Sequence, residues 1–159
     1  MTLHPEIRVR PATRADLKLV ARMNKELIED EGHRNPMTVD QLEQRAAGFM
    51  DESGWRIDLF EQAGSVVGYA TWKLEDDNTE PSGKRVYLRQ FYVARESRGG
   101  GVGRQALNAL MGREFPADTR VLLEVMQSNP GGQQFWSRMG FAPYSHLLES
   151  RSVNSPRSK

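Results

Sequence analysis

The sequence predicts an α/β (α+β) fold with a mixed, partly antiparallel central sheet, and three observations lead there. A length of 159 residues suits one domain rather than two. Apolar residues alternate with period two in six short stretches and recur at helical spacing in four others. The resulting order, β-α-α-β-β-β-α-β-α-β, mixes hairpins with crossovers, so strands must run both ways in one sheet. No internal repeat is visible.

Ile7-Arg8-Val9-Arg10 alternates apolar and charged residues like a half-buried strand, and Pro11 closes it. Thr13 with Asp16 three residues later reads as a capping box opening a helix, whose apolar face is Leu17, Val20, Met23, Leu27 and Ile28. That helix ends near Gly32. After a polar loop, Thr38 and Gln41 form a second capping box for the second helix. Trp55, Ile57 and Leu59 share one face of a strand, Gly64-Ser65 turns the chain, and Val66 to Leu74 returns as a hairpin partner. Val86 to Val93 is the next strand. A charged, glycine-rich loop from Arg95 to Gly103 leads into a helix carrying Val102, Ala106, Leu107, Leu110 and Met111. Val121 to Met126 reads as an apolar strand, and Asn129 with Pro130 starts a helix that Gly140 ends. Phe141 to Leu148 supplies a last strand.

Composition removes whole classes of function. Zero cysteine excludes thiol nucleophiles, CxxC redox chemistry and thiolate metal sites, and no metal is expected. A net charge of +1 argues against a nucleic-acid surface, so any anion site must be local. No apolar stretch approaches the ~18 residues of a membrane span, and the start lacks the pattern of a signal peptide. A cytoplasmic protein with no membrane partner is the expectation.

The most informative segment is Arg98-Gly99-Gly100-Gly101-Val102-Gly103-Arg104, set between a strand and a helix. Glycines allow close backbone approach and turn N–H groups toward an anion, and a helix N-terminus adds its positive dipole end. Arg95, Arg98 and Arg104 against Glu96 leave a local charge of +2. These features describe a phosphate cradle. No Gly-Lys-Ser/Thr follows, which disfavours ATP or GTP hydrolysis. Gly101-Val-Gly103-Arg-Gln-Ala106 matches the dinucleotide pattern G-x-G-x-x-A, and Glu124 lies at the ribose-binding spacing. Against a nicotinamide site stand the long loop before Gly101, the polar Arg89-Gln90 in the preceding strand, and too little chain after Glu124 for a doubly wound sheet.

The sequence resembles the GCN5-related N-acetyltransferases. Their signature [QR]-x-x-G-x-[GA] is met by Arg98, Gly101 and Gly103, after the strand Tyr87-Leu-Arg-Gln-Phe-Tyr-Val93. Their second motif is matched by Asn129, Gly132, Gly140 and Phe141, with Trp136 at the usual tyrosine position. The resemblance spans about residues 7 to 148. It implies a single acetyltransferase domain over 1–148, about four helices, and a sheet of six to seven strands splayed between the fourth and fifth, while the Ser/Arg-rich composition of 149–159 predicts a disordered tail. The cosubstrate it implies is acetyl-CoA. The pantetheine arm would lie in the splay against backbone groups of Phe91, Tyr92 and Val93, near Asn129, Phe135 and Trp136. The pyrophosphate would sit on Arg98, Gly99, Gly100, Gly101, Val102, Gly103 and Arg104.

Acyl transfer to an amine needs a base, donors for the developing oxyanion and a route for the departing thiolate. The N–H of Val93 at a bulge of the fourth strand is the candidate oxyanion donor. Glu124 is the candidate base. A carboxylate in an otherwise apolar strand faces solvent, finds a partner or is functional, and the ribosomal-protein alanine acetyltransferases carry a glutamate in this Leu-Glu-Val setting five residues before the motif asparagine. The glutamate of the histone-acetylating branch is replaced here by Tyr87. Trp136 is no acid, so Tyr144 or water is the candidate proton donor, or the thiolate leaves unassisted. Glu31, His33 and Asn35, with Tyr87 and Arg89, would shape the acceptor pocket. Glu29 and Glu31 would attract a cationic amine and Arg89 a carboxylate, and the sequence does not choose. The expected function is direct transfer from acetyl-CoA to a primary amine of a small molecule or peptide. A non-catalytic CoA sensor and a nicotinamide-binding protein are the alternatives, and a homodimer is left open.

Overall fold

The computed structural model describes residues 5–52 and 54–152. Five strands form one sheet in sequential order: β1 (Ile7–Pro11), β2 (Trp55–Gln62), β3 (Ser65–Asp76), β4 (Lys84–Val93) and β5 (Val121–Leu122). β1 to β4 are an antiparallel meander, and β5 joins β4 in parallel. Two helices precede β2, α1 (Leu17–Glu31) and α2 (Val39–Glu52); α3 (Val102–Arg113) is the crossover to β5, and α4 (Pro130–Arg138) follows it.

The period-two pattern puts apolar residues on both faces of the sheet. Leu59, Tyr69 and Tyr92 bury against Leu17, Val20, Met23 and Leu27 of α1 and Ala46 of α2. Phe60, Ala70, Trp72, Val86 and Leu88 bury against Val102, Ala106, Leu107 and Leu110 of α3. Both anticipated capping boxes form. Thr38 N–H donates to Gln41 Oε1 and Gln41 N–H to Thr38 Oγ1, at 2.9 and 3.2 Å. Gly32 closes α1 with φ of 64°, a left-handed conformation that suits glycine. The β2–β3 turn lies one residue earlier than the sequence suggests: Ala63 and Gly64 both have positive φ, as the tightest hairpin loop requires.

Asp16 is the hub of the first connection. It accepts from Arg10 Nη1 and Nη2 at 2.8 and 3.1 Å and from the Thr13 N–H and Oγ1–H at 2.7 and 3.0 Å. The Arg10 hydrogen bonds hold its carboxyl well below the usual carboxylate range. A carboxyl with a lowered folded-state pKa stabilises above its unfolded value near ~4 and loses that contribution as pH falls. Asp16→Asn is therefore expected to cost about 1–2 kcal/mol at neutral pH, the partial exposure of Arg10 being allowed for. Urea unfolding should show the gap to wild type narrowing progressively as the pH falls below about 4; a constant gap would mean the ionised form is not what is held.

The sheet is shorter than expected at its far edge. Five strands form rather than six to seven, β5 covers two residues instead of Val121 to Met126, and Phe141 to Leu148 is irregular. The reason is the lack of a ladder partner. β5 diverges from β4 after Leu122, Pro143 removes a backbone donor, and Tyr144, Leu147 and Leu148 are 80%, 85% and 86% exposed. Of the expected disordered tail, residues 149–152 lack regular structure, although Glu149 pairs with Arg34. Residues 153–159 lie outside the described residues.

Candidate active site

A gap opens where β4 and β5 part. Their ladder consists of Val86 with Val121 and Tyr87 with Leu122, so the outer edge of β4 from Leu88 to Val93 has no strand beside it. Ala94 N–H donates to Val67 O of β3 at 2.7 Å, and alternation along an extended strand turns the Phe91 and Val93 backbone groups the other way, into the gap. Tyr92 differs. Its backbone faces β3, where a Cβ on Gly68 would meet Tyr92 O at 2.1 Å, and its hydroxyl donates to Glu26. The register shift on β4 falls at Arg89 rather than at Val93, where the sequence suggests a bulge, since Thr71 pairs with Gln90 and Trp72 with Leu88 while Val93 stays in register with Gly68. This bulge directs Arg89 and Gln90 to the same face: Arg89 lies against Phe49 and Trp55, while Gln90 accepts from Tyr69 and Thr71 at 3.2 and 2.8 Å.

The glycine-rich loop ends beside this gap. Gly99 and Gly101 have φ of 92° and 79°, and a Cβ on Gly99, Gly100 or Gly101 would meet nothing within 4 Å. The first helical bond of α3 is Gln105 N–H to Gly101 O, so the N–H groups of Val102, Gly103 and Arg104 have no intrahelical acceptor. Gly103 faces inward, where its Cβ would lie 3.1 Å from Phe135 and 3.8 Å from Val93. The loop charge is less available than a sequence count suggests. Arg95 pairs with Glu29 and Asp30, while Arg98 pairs with Asp30 at 2.6 Å and donates to Val93 O at 2.8 Å. Arg98 therefore fastens the loop to α1, and Arg104 is the exposed arginine at the helix start. At this loop, unpaired backbone N–H groups are more available than side-chain charge.

Aromatic rings close the far wall. Phe91 stacks with Phe135 at 6.0 Å, and Trp136 stands edge-on to Phe91, Phe135 and Phe141 at 4.9–5.3 Å. Trp136 thus occupies the tyrosine position as packing. Asn129 caps α4 by accepting from Gly132 N–H at 3.0 Å, and a Cβ on Gly132 would meet Asn129 Nδ2 at 2.4 Å. Any side chain at Gly132 would therefore displace the Asn129 amide from its capping position.

Val121 and Leu123 pack on the α3 side of the sheet. Alternation turns Glu124 to the other face, where its charge acts on the half-buried Tyr87 hydroxyl. Glu124 itself is exposed. Tyr144 is not brought to this group: Arg120 lies 4.4 Å over its ring, four residues and roughly 13 Å along the chain from Glu124. His33 and Asn35 are engaged locally, His33 Nδ1 accepting from Asn35 N–H and Asn35 Oδ1 from Met37 N–H, both at 3.0 Å. Glu31 lies at the end of α1, where Ser128 Oγ donates to its carbonyl at 2.6 Å. Burial, with Asp30 beside it, pushes the Glu31 carboxyl above its ordinary pKa.

Four residues that the sequence did not single out stand around two that it did. Arg45 and Phe49 of α2, Trp55 of β2 and Lys73 of β3 surround Arg89 and Tyr87. One signal was present: Arg45 falls on the apolar stripe of α2, between Leu42 and Phe49, where a charge requires a reason.

Residues 20–141 match the model of the acetyltransferase (GNAT) family. A predicted acetyltransferase from Clostridium acetobutylicum, solved with acetyl-CoA, superposes with a TM-score of 0.71 at 19% identity, covering 91% of this chain and 96% of that one. A GCN5-related N-acetyltransferase from Ralstonia eutropha gives 0.69 at 21% identity over 91% and 98%. The aminoglycoside N-acetyltransferase AAC(6')-Iy, in complex with CoA, gives 0.73 at 15% identity over 96% and 98%. At such identities the likeness is one of fold. No curated protein matches the sequence. The mixed five-stranded sheet and the family match leave no place for the doubly wound nicotinamide reading.

Proposed function

The chain belongs to the GNAT acetyltransferase family, and from that premise we propose that it transfers an acetyl group from acetyl-CoA directly to a primary amine of a small molecule or peptide. The observation that carries this reading is the open edge of β4, which ends beside the free N–H groups of Val102, Gly103 and Arg104. The residues fit the cosubstrate: an extended polar strand edge suits an amide-bearing arm, and a helix start preceded by glycines with open space suits a pyrophosphate. When bound, acetyl-CoA supplies the activated acyl group as a thioester.

The chain's own groups then have separate tasks. The Phe91 and Val93 backbones hold the donor along β4, and the Val93 N–H is placed to donate to a developing oxyanion. Phe135 and Trp136 exclude water behind it. Glu124 removes the amine proton from the acceptor face of the sheet, with Tyr87 and Arg89 lining the approach. Trp136 carries no acidic proton and the Tyr144 ring is held by Arg120, so protonation of the thiolate falls to water. With no cysteine in the chain, the acetyl group has no thiol on which to rest.

A thermal-shift series with acetyl-CoA, CoA and NAD, followed by a thiol-release screen of amines, tests this reading. Stabilisation by acetyl-CoA and CoA with amine-dependent thiol release is expected. Tight acetyl-CoA binding without turnover across a broad amine panel would favour a sensor instead.

A further inference from the structure

Three cations converge on one aromatic surface of the acceptor side. The Arg45 and Arg89 guanidiniums lie 5.7 and 5.4 Å from the centroid of the Phe49 ring. Arg89 also lies 5.7 Å from the Trp55 ring, and the Lys73 ammonium 4.6 Å from it. The two rings touch, their centroids 5.1 Å apart.

Several other cations on the sheet and its loops are matched by acids: Arg10 by Asp16 and Glu61, Arg85 by Glu75, and Arg95 and Arg98 by Asp30. None of the ion pairs among the described residues includes Arg45, Lys73 or Arg89. Arg45 is the sharpest case. Its Nε is buried with no hydrogen-bond partner, and burial together with the charge of Arg89 pulls its pKa down. Glu31 and Arg45 both act on the buried Tyr69 hydroxyl, yet no ion pair joins them.

Two like charges sharing one ring repel each other, and the aromatic faces only partly offset that cost. An anion between them would remove it. A carboxylate suits best, because a planar guanidinium offers it two parallel N–H donors. Glu124 and Arg89 both act on the Tyr87 hydroxyl without pairing with each other, so acidic and basic groups border the same space.

We propose that the acceptor amine also carries a carboxylate, held by Arg45 and Arg89, with its body against Phe49 and Trp55. This assignment rests on the acetyltransferase reading above and resolves the opposing pulls of Glu31 and Arg89 into two ends of one substrate. A polycationic acceptor, such as an aminoglycoside, would meet Arg45, Lys73 and Arg89 as repulsion.

The test pairs each common amino acid with its carboxamide in the thiol-release assay, with spermidine and kanamycin as polycations. The best carboxylate substrate should exceed its own amide in kcat/KM by about 10- to 100-fold, the range expected for charge-assisted hydrogen bonds. Arg89→Gln should bring that ratio toward one, and Arg89→Lys should restore part of it. Arg45→Gln serves as the second variant. Amides or polycations turned over as well as carboxylates would overturn the proposal while leaving the acetyltransferase reading intact. A second readout needs no turnover: calorimetric titration of the CoA-loaded protein with N-acetylphenylalanine and its amide. Binding that requires the carboxylate and Arg89, without turnover of any amine, would uphold the anion site and remove the catalytic reading. Equal binding of acid and amide, or none of either, would overturn the anion site.

Discussion

Gly103→Glu is expected to abolish acetyl-CoA binding, weakening it by more than about 100-fold, because it sets a carboxylate at a helix start that offers its N–H groups to phosphate. Steric exclusion adds to the charge. A Cβ at Gly103 already lies 3.1 Å from the Phe135 ring, which must shift to admit any side chain. The variant therefore needs a folding check by circular dichroism and a control with the same charge. Gly112→Glu supplies one, since it lies near the other end of α3 and its Cβ would meet open space. Calorimetry should give wild-type affinity for Gly112→Glu and no measurable binding for Gly103→Glu. Wild-type affinity in a folded Gly103→Glu protein would mean that the phosphates bind elsewhere.

Glu124→Gln is expected to lower kcat by about 10²- to 10⁴-fold, the range typical of a lost general base, while acetyl-CoA affinity stays the same. The substitution keeps size and removes charge, so packing is not at issue for a side chain that is exposed beyond the end of β5. The pH profile carries the sharper information. A base must be deprotonated to act, so the acid limb of kcat/KM that reports the carboxyl should vanish in the variant. An unaltered profile would take the base role from Glu124 and direct the same measurement to Glu31, whose carboxyl burial pushes upward.

Residues with a local cause were legible in the sequence. The capping pair Thr38 and Gln41, the αL stop at Gly32, and the Asn129 cap with its required Gly132 each follow from contacts within a few residues, and each forms. The glycine loop was legible for the same reason, because positive φ at Gly99 and Gly101 and a free helix start are local properties. Strand extent was not. Val121 to Met126 and Phe141 to Leu148 have the alternation of strands, but a ladder also needs a neighbouring edge at the right distance, and β4 and β5 part after two pairs. Trp136 was ambiguous as a motif departure; its three aromatic neighbours give it a packing role.

By itself, the sequence determined the order of elements from β1 to α4, the family and the glycine-rich start of α3, since periodicity, capping and glycine spacing act over a few residues at a time. Only the tertiary structure decided which charges are paired and which are not. Arg95 and Arg98 read as cofactor cations until α1 brings Asp30 against them, and Arg45, a charge on the apolar stripe of α2, meets Arg89 only when β4 reaches the same Phe49 ring. Coulomb interactions depend on distance in space, and residues 44 positions apart become neighbours only when α2 and the sheet pack together.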